Sequence, residues 1–163
     1  MTVLSRILPI PLPVDVVWGM LTDVDAWARW MPHVLESGWT DPDAPLAPGR
    51  RLWFRLHHES REPRIEAEVS VVRPGREFTY RPIGGDLPYV EGMEELEWQW
   101  LLYQRPLGCS TRWTVSYTAR GGFPMMREVI GARIQLLNQA DNVLLALFGM
   151  AEGDGPAAVL AEA

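Results

Sequence analysis

Residues 14–34 read VDVVWGMLTDVDAWARWMPHV, and the spacing of their apolar side chains decides how the rest of the chain can be arranged. Val17, Trp18 and Leu21 recur at helical spacing; Asp23 then restarts a short helix carrying Val24, Trp27 and Trp30, which Met31 and Pro32 end. Two short helices joined near Thr22 follow. Upstream, Thr2 to Leu8 forms a first strand, and Pro9, Pro11 and Pro13 forbid its continuation within a sheet interior.

Downstream the pattern changes to alternation. Strands are expected at Val34 to Trp39, Arg51 to His58, Arg64 to Val72, Glu77 to Arg81, Glu91 to Tyr103 and Ser110 to Ala119, separated by turn-forming segments such as RPG and PIGGDLP. The connections are short, which favours antiparallel neighbours in a meander. One long helix, Pro124 to Phe148, follows Gly121 and Gly122. These elements cannot bury their apolar faces separately, so the sheet must wrap around the long helix, an α+β arrangement. Residues 1–150 are expected to form one domain with an internal apolar cavity, and 151–163 a loosely held tail.

Composition fits a globular chain: 47% of the 163 residues are apolar and 22% charged. The net charge of −6 argues against a general nucleic-acid binder. The single cysteine, Cys109, excludes an internal disulfide and a cysteine-based zinc cluster, and His33, His57 and His58 have no companion spacing for a metal. No run reaches the length of a membrane span and no cleavable leader is evident, so a cytoplasmic protein is expected. Eight tryptophans suit either a dense core or the wall of a pocket for a bulky apolar ligand.

Around the long helix, Val129, Ile130, Leu136, Leu137, Ala140, Val143, Leu144, Leu147 and Phe148 fall in one stripe, and Arg133 lies in its middle. A guanidinium placed there requires a carboxylate, carbonyls or a ligand anion, unless its head reaches water. In EGMEELEWQWLLYQR (91–105), Glu94 shares strand parity with Leu96, Trp98, Trp100 and Leu102, whereas Glu91, Glu95, Glu97 and Gln99 share the other. Glu94 is therefore the one acid of the run expected to face inward, where it would pair with Arg133 or act as general acid or base, unless it sits at the rim. Phe54 and His58 share a face, as do Phe78 and Tyr80, and Trp113 and Tyr117. These rings read as core or cavity wall, with Tyr80 and Tyr117 as donors to a ligand carbonyl and His58 as a proton shuttle or an ordinary rim residue. Trp53, on the opposite parity of its strand, would serve a homodimer interface.

The element order resembles the helix-grip fold of the START and pollen-allergen superfamily, a curved seven-stranded antiparallel sheet gripping a C-terminal helix around an apolar cavity. Residues 14–34 resemble the signature of its polyketide cyclase/dehydrase branch, and GDLPYVEGM (85–93) is similar to the segment after a pocket arginine in bacterial aromatase/cyclases. That likeness implies a role for Arg81, the nearest preceding arginine, in orienting a poly-β-keto chain. It also implies a cofactor-independent enzyme that cyclises a hydrophobic intermediate, free or bound to a carrier protein. The competing reading is a protein that binds a lipid or another hydrophobic molecule without changing it. Candidate catalytic residues are Glu94, Arg133, Arg81, Tyr80 and His58. Candidate ligand contacts are Trp27, Trp30, Phe54, Phe78, Trp98, Trp100, Trp113, Tyr117 and Leu137, with no cofactor or metal.

Overall fold

The computed structural model describes residues 1–57, 62–86, 93–119 and 123–151, excluding the side chains of 123–133. The chain runs β1 (Thr2–Ile10), α1 (Val14–Thr22), a 3-10 turn (Val24–Ala26), α2 (Trp27–Trp30), β2 (Val34–Trp39), β3 (Arg51–Leu56), β4 (Arg64–Arg73), β5 (Glu77–Gly85), β6 (Met93–Arg105), β7 (Gly108–Ala119) and α3 (Phe123–Ala151). The strands form one antiparallel sheet in the order β1-β7-β6-β5-β4-β3-β2. Strands 2 to 7 form a meander, and the chain closes by laying β1 against β7. The short helices carry it from β1 at one edge to β2 at the other. This is the expected helix-grip arrangement of a curved seven-stranded sheet and a long C-terminal helix.

Strand β1 runs two residues beyond the expected end and includes Pro9. It pairs only with β7, so a residue lacking an N–H is tolerated on its open side. The close approach of β1 and β7 is set by Gly108 at φ +127°, where a Cβ would run into the carbonyl oxygen of Ile10.

The core fills the sheet face that meets the helices. Alternation places Leu52, Phe54 and Leu56 of β3, Ile65, Ala67 and Val69 of β4, and Leu96, Trp98, Trp100 and Leu102 of β6 inside. Helix α3 lies against β1, β7 and α2 and buries Leu136, Ala140, Val143, Leu144 and Leu147. Leu137 is only partly buried and Phe148 is 38% exposed, whereas Gln139 is 8% exposed. The buried stripe is thus rotated by roughly 40° from the one expected, at about 100° per residue, which takes Phe148 out and brings Gln139 in.

Bulges interrupt the pairing of β2, β4, β5 and β6. The one in β6 matters most. Glu94 pairs with Thr118 but Glu97 with Ser116, so one extra residue is inserted, and Glu95 takes φ +53°. An added residue reverses side-chain parity. Met93 and Leu96 both face the core, and Glu94 joins Glu97 on the outer face.

Replacing Gly108 with alanine is expected to destabilise the fold by about 1–3 kcal/mol, through a strained dihedral and a displaced Ile10 carbonyl. Urea unfolding checks this: the midpoint should fall at unchanged slope, and a change within about 0.5 kcal/mol, the range of an ordinary surface substitution, would contradict the packing described.

Candidate functional site

The interior wall is built from aromatic side chains that the sheet register brings together. Tyr80 of β5 and Trp98 of β6 are direct cross-strand partners and stack with centroids 5.4 Å apart and planes 28° apart. Phe54 of β3 meets Trp98 at 5.6 Å edge-on and Tyr80 at 6.2 Å. Trp27 of α2 closes the group, 5.5 Å from Tyr80 and 6.0 Å from Phe54, its indole N–H donating to the Leu21 carbonyl at 2.9 Å. Phe78 continues the wall toward Trp18 and Trp39. On the other side Trp100 and Trp113, again cross-strand partners, lie 6.2 Å apart edge-on. Edge-on and offset contacts of this kind add about 0.5–1.5 kcal/mol per pair beyond area burial. Trp30 and Tyr117 are also buried, and Leu137 packs at the margin of the same core.

Where this wall meets α3 it leaves a small, partly open cavity of about 20 Å³. Tyr80, Trp98, Trp100 and Trp113 form its sheet side, Met31 and His33 come from the segment after α2, and Gln139 from α3. Two nitrogens here are buried without a hydrogen-bond partner, the indole Nε1 of Trp100 and Nδ1 of His33. His33 keeps some exposure as a residue, but its Nδ1 has none. Burial depresses the imidazole to a pKa of about 4, so the ring is neutral at pH 7. Burial also pushes the Tyr80 phenol well above its ordinary value. The neighbouring Trp100 indole opposes that rise, although its N–H does not reach hydrogen-bond geometry. Tyr80 is therefore a hydrogen-bond donor, not a phenolate base.

The charged candidates stand elsewhere. The bulge in β6 carries Glu94 to the outer face, half-buried opposite Thr118, so the inward carboxylate expected from simple alternation is not there. On the same face Glu95 accepts from the Thr118 hydroxyl at 3.0 Å and Glu97 from Ser70 at 3.3 Å. Arg81, next to the inward Tyr80, points outward and pairs with Glu68 at 3.6 Å, its side chain 58% exposed. His58 lies outside the described residues, as does the side chain of Arg133. Trp53 is half-buried, with the Arg64 guanidinium 4.2 Å over its ring.

His33 and Gln139 were not among the sequence candidates. Gln139 is legible in retrospect, because it stands four residues before Val143 at the border of the apolar stripe. His33 lies between helix and strand, where no periodicity assigns a face. Burial raises the Cys109 thiol pKa, opposed by the contact of its sulfur with Thr111, which keeps it a thiol. Among the described residues no group of three His, Cys, Asp or Glu could hold a metal, and no helix is long and apolar enough to cross a membrane.

The family model described as polyketide cyclase/dehydrase and lipid transport matches residues 1–140. The chain belongs to this family. Among solved structures it is similar to the ZhuI aromatase/cyclase of Streptomyces sp. R1128, with a TM-score of 0.72 at 16% identity over 93% of this chain and 94% of that one. It is also similar to the di-domain aromatase/cyclase StfQ of the steffimycin pathway, with a TM-score of 0.74 at 16% identity. That match covers 92% of this chain but 50% of StfQ, so this chain spans about half of that protein. Ara h 8.0201 has a TM-score of 0.72 at 14% identity, covering 93% of this chain and 98% of that one. At these identities the likeness shows the fold. No curated protein matches the chain.

The family's fold encloses His33 as a neutral ring, and this sets a pH dependence. Its folded pKa lies below the ordinary 6.5, so the unfolded chain binds the extra proton first, and stability falls as pH drops from about 6.5 to about 4. The full shift corresponds to at most about 3 kcal/mol. Urea unfolding at pH 7 and 4.5 should show His33→Gln losing less stability than the parent by about 1–3 kcal/mol. Equal losses would place the imidazole in water.

Proposed function

We propose that this protein binds a hydrophobic polyketide-type intermediate between the sheet and α3 and promotes its intramolecular cyclisation, with loss of water where the ring formed allows it. The observation that carries this reading is the inward wall of stacked aromatics ending in uncharged hydrogen-bonding groups: the Tyr80 hydroxyl, the Trp100 indole N–H, the neutral His33 ring and the Gln139 amide. Membership of a family described as polyketide cyclase/dehydrase and lipid transport is consistent with it. The space among these residues is about 20 Å³, so α3 must draw back from the sheet for the ligand's flat conjugated segments to lie against the rings and its oxygens to take the donors.

The work of such a site is mainly conformational. Holding the two reacting carbons of one chain in contact replaces an improbable encounter by a prepaid geometry, a gain that reaches about 7–11 kcal/mol in well-oriented systems. As the ligand enolises, the α-carbon gives its proton to water, and the carbonyl oxygen that gains the charge accepts a hydrogen bond from Tyr80. With Glu94 and Arg81 on the outer face, neither takes part in proton transfer at this wall.

That outward placement specifically favours a second reading, in which the protein binds and carries a hydrophobic molecule unchanged. Product analysis separates the two. A synthetic poly-β-ketone thioester incubated with the protein should yield one cyclised aromatic product faster than in buffer. Tyr80→Phe should lower that rate about tenfold, the value of one well-placed neutral donor, while changing affinity less than threefold. Tight binding with product and rate unchanged from buffer would reject the cyclase and leave the carrier.

A further inference from the structure

Strand β1 is an edge of the sheet: it pairs with β7 on one side and, among the described residues, with no strand on the other. Pro9 has no N–H to give β7, and Arg6 Nη1 donates to the Ser5 carbonyl at 3.2 Å, so the odd-numbered residues turn their backbone groups to the open side. Beside this edge lies α3. Arg6 meets Asp141 at 3.0 Å, Ile7 and Leu8 share a groove of about 280 Å³ with Leu144 and Leu145, and Pro9 and Ile10 share another with Phe148. The helix therefore runs alongside β1 in the same direction. Four large apolar side chains are left exposed on this flank: Val3 at 53% and Ile7 at 48% on the strand, Ile134 at 58% and Leu145 at 60% on the helix. Ile134 and Leu145 stand three turns apart, at about 3.6 residues per turn, and so share one face of α3.

The strand pair and the helix pair have a common midpoint. Val3 and Ile7 are centred on Ser5, and Ile134 and Leu145 on Gln139 and Ala140. At about 3.3 Å per strand residue and about 1.5 Å per helix residue, the level of Ser5, one residue before the Arg6–Asp141 contact, corresponds to Gln139 on α3. We infer that a second copy of this chain docks on this flank, β1 against β1 and antiparallel, about a two-fold axis beside Ser5. That axis sets Val3 opposite Ile7 of the second copy and Ile134 opposite its Leu145, so each exposed apolar side chain meets another. Ser5 exchanges both backbone hydrogen bonds with its equivalent, and Val3 does so with Ile7. These bonds replace the single Arg6 contact that the Ser5 carbonyl has in one copy. Two guanidinia from Arg6 and two carboxylates from Asp141 gather near the axis, balanced in charge. Trp53, on β3 near the other edge of the sheet, takes no part.

Solution mass and one cross-link test this on the full chain. Analytical ultracentrifugation at pH 7 should show the mass rising with concentration, from about 1 to about 200 µM, toward twice the 18.5 kDa of one chain. Ile7→Glu and Leu145→Glu, both at exposed positions, should each raise the dimer dissociation constant about tenfold or more and leave the circular dichroism of the parent unchanged. Across the axis the two Ser5 Cα atoms would lie about 5.5 Å apart, within disulfide reach. Under mild oxidation Ser5→Cys should therefore give a disulfide-linked dimer faster than Thr40→Cys, an exposed position beyond the other edge strand, β2; Cys109 is buried and does not compete. A mass of 18.5 kDa at every concentration overturns the inference and leaves the edge to a strand of another protein. A dimer indifferent to both glutamate substitutions, or one that cross-links no faster through Ser5→Cys than through Thr40→Cys, uses another face and overturns it too.

Discussion

Two cross-strand pairs, Tyr80 with Trp98 and Phe78 with Trp100, hold the interior of this protein in register. Slipping β5 against β6 by one residue would exchange these rings for Glu77, Thr79 and Gln99, because side chains alternate with a period of two. The opposite face secures the same register. Gln99 donates to the Glu77 carboxylate at 2.8 Å, the Thr79 hydroxyl donates to the same oxygen at 3.2 Å, and Arg73 pairs with its other oxygen at 3.4 Å. A polar lattice outside and stacked rings inside therefore require one alignment, and the wall against which a ligand would lie depends on it.

The same division separates charge from the interior. Among the described residues, carboxylates and guanidinia of the central strands meet each other on the outer face, as Arg81 meets Glu68 and Arg64 meets Glu66. What lines the small cavity is neutral: a phenol held protonated by burial, an imidazole kept uncharged for the same reason, an indole and an amide. Groups of this kind orient and polarise. They suit a reaction whose difficulty is conformational, or a binding function that needs no reaction, and this is why product analysis carries more weight than any one residue.

Much of the architecture was legible from the chain. The helical spacing of Val17, Leu21, Trp27 and Trp30, the period-two strands and the closing helix specify a sheet wrapped on a helix, and each of those four side chains is buried. The charged part of the site was not legible. Unbroken alternation from Trp98 turns Glu94 inward, and one inserted residue at Glu95 reverses it. A bulge depends on how β6 meets β7, which no local pattern reports. The segment after Arg81 suggests an inward arginine, yet its strand neighbour Tyr80 is buried, and adjacent positions cannot both point in. Gln139 escapes a helical wheel drawn from apolar residues alone, which sets its centre too far toward Phe148.

The central claim is that the interior wall and its neutral donors receive a ligand. The most direct measurement follows the eight tryptophan indole N–H resonances by ¹H–¹⁵N NMR as 2-naphthol is added. The account predicts that the Trp100 resonance moves to higher frequency as its N–H gains an acceptor and that Trp98 responds through its ring, while Trp53, under Arg64 on the outer face, stays in place. A response confined to Trp53, with Trp98 and Trp100 unmoved at saturation, would contradict it.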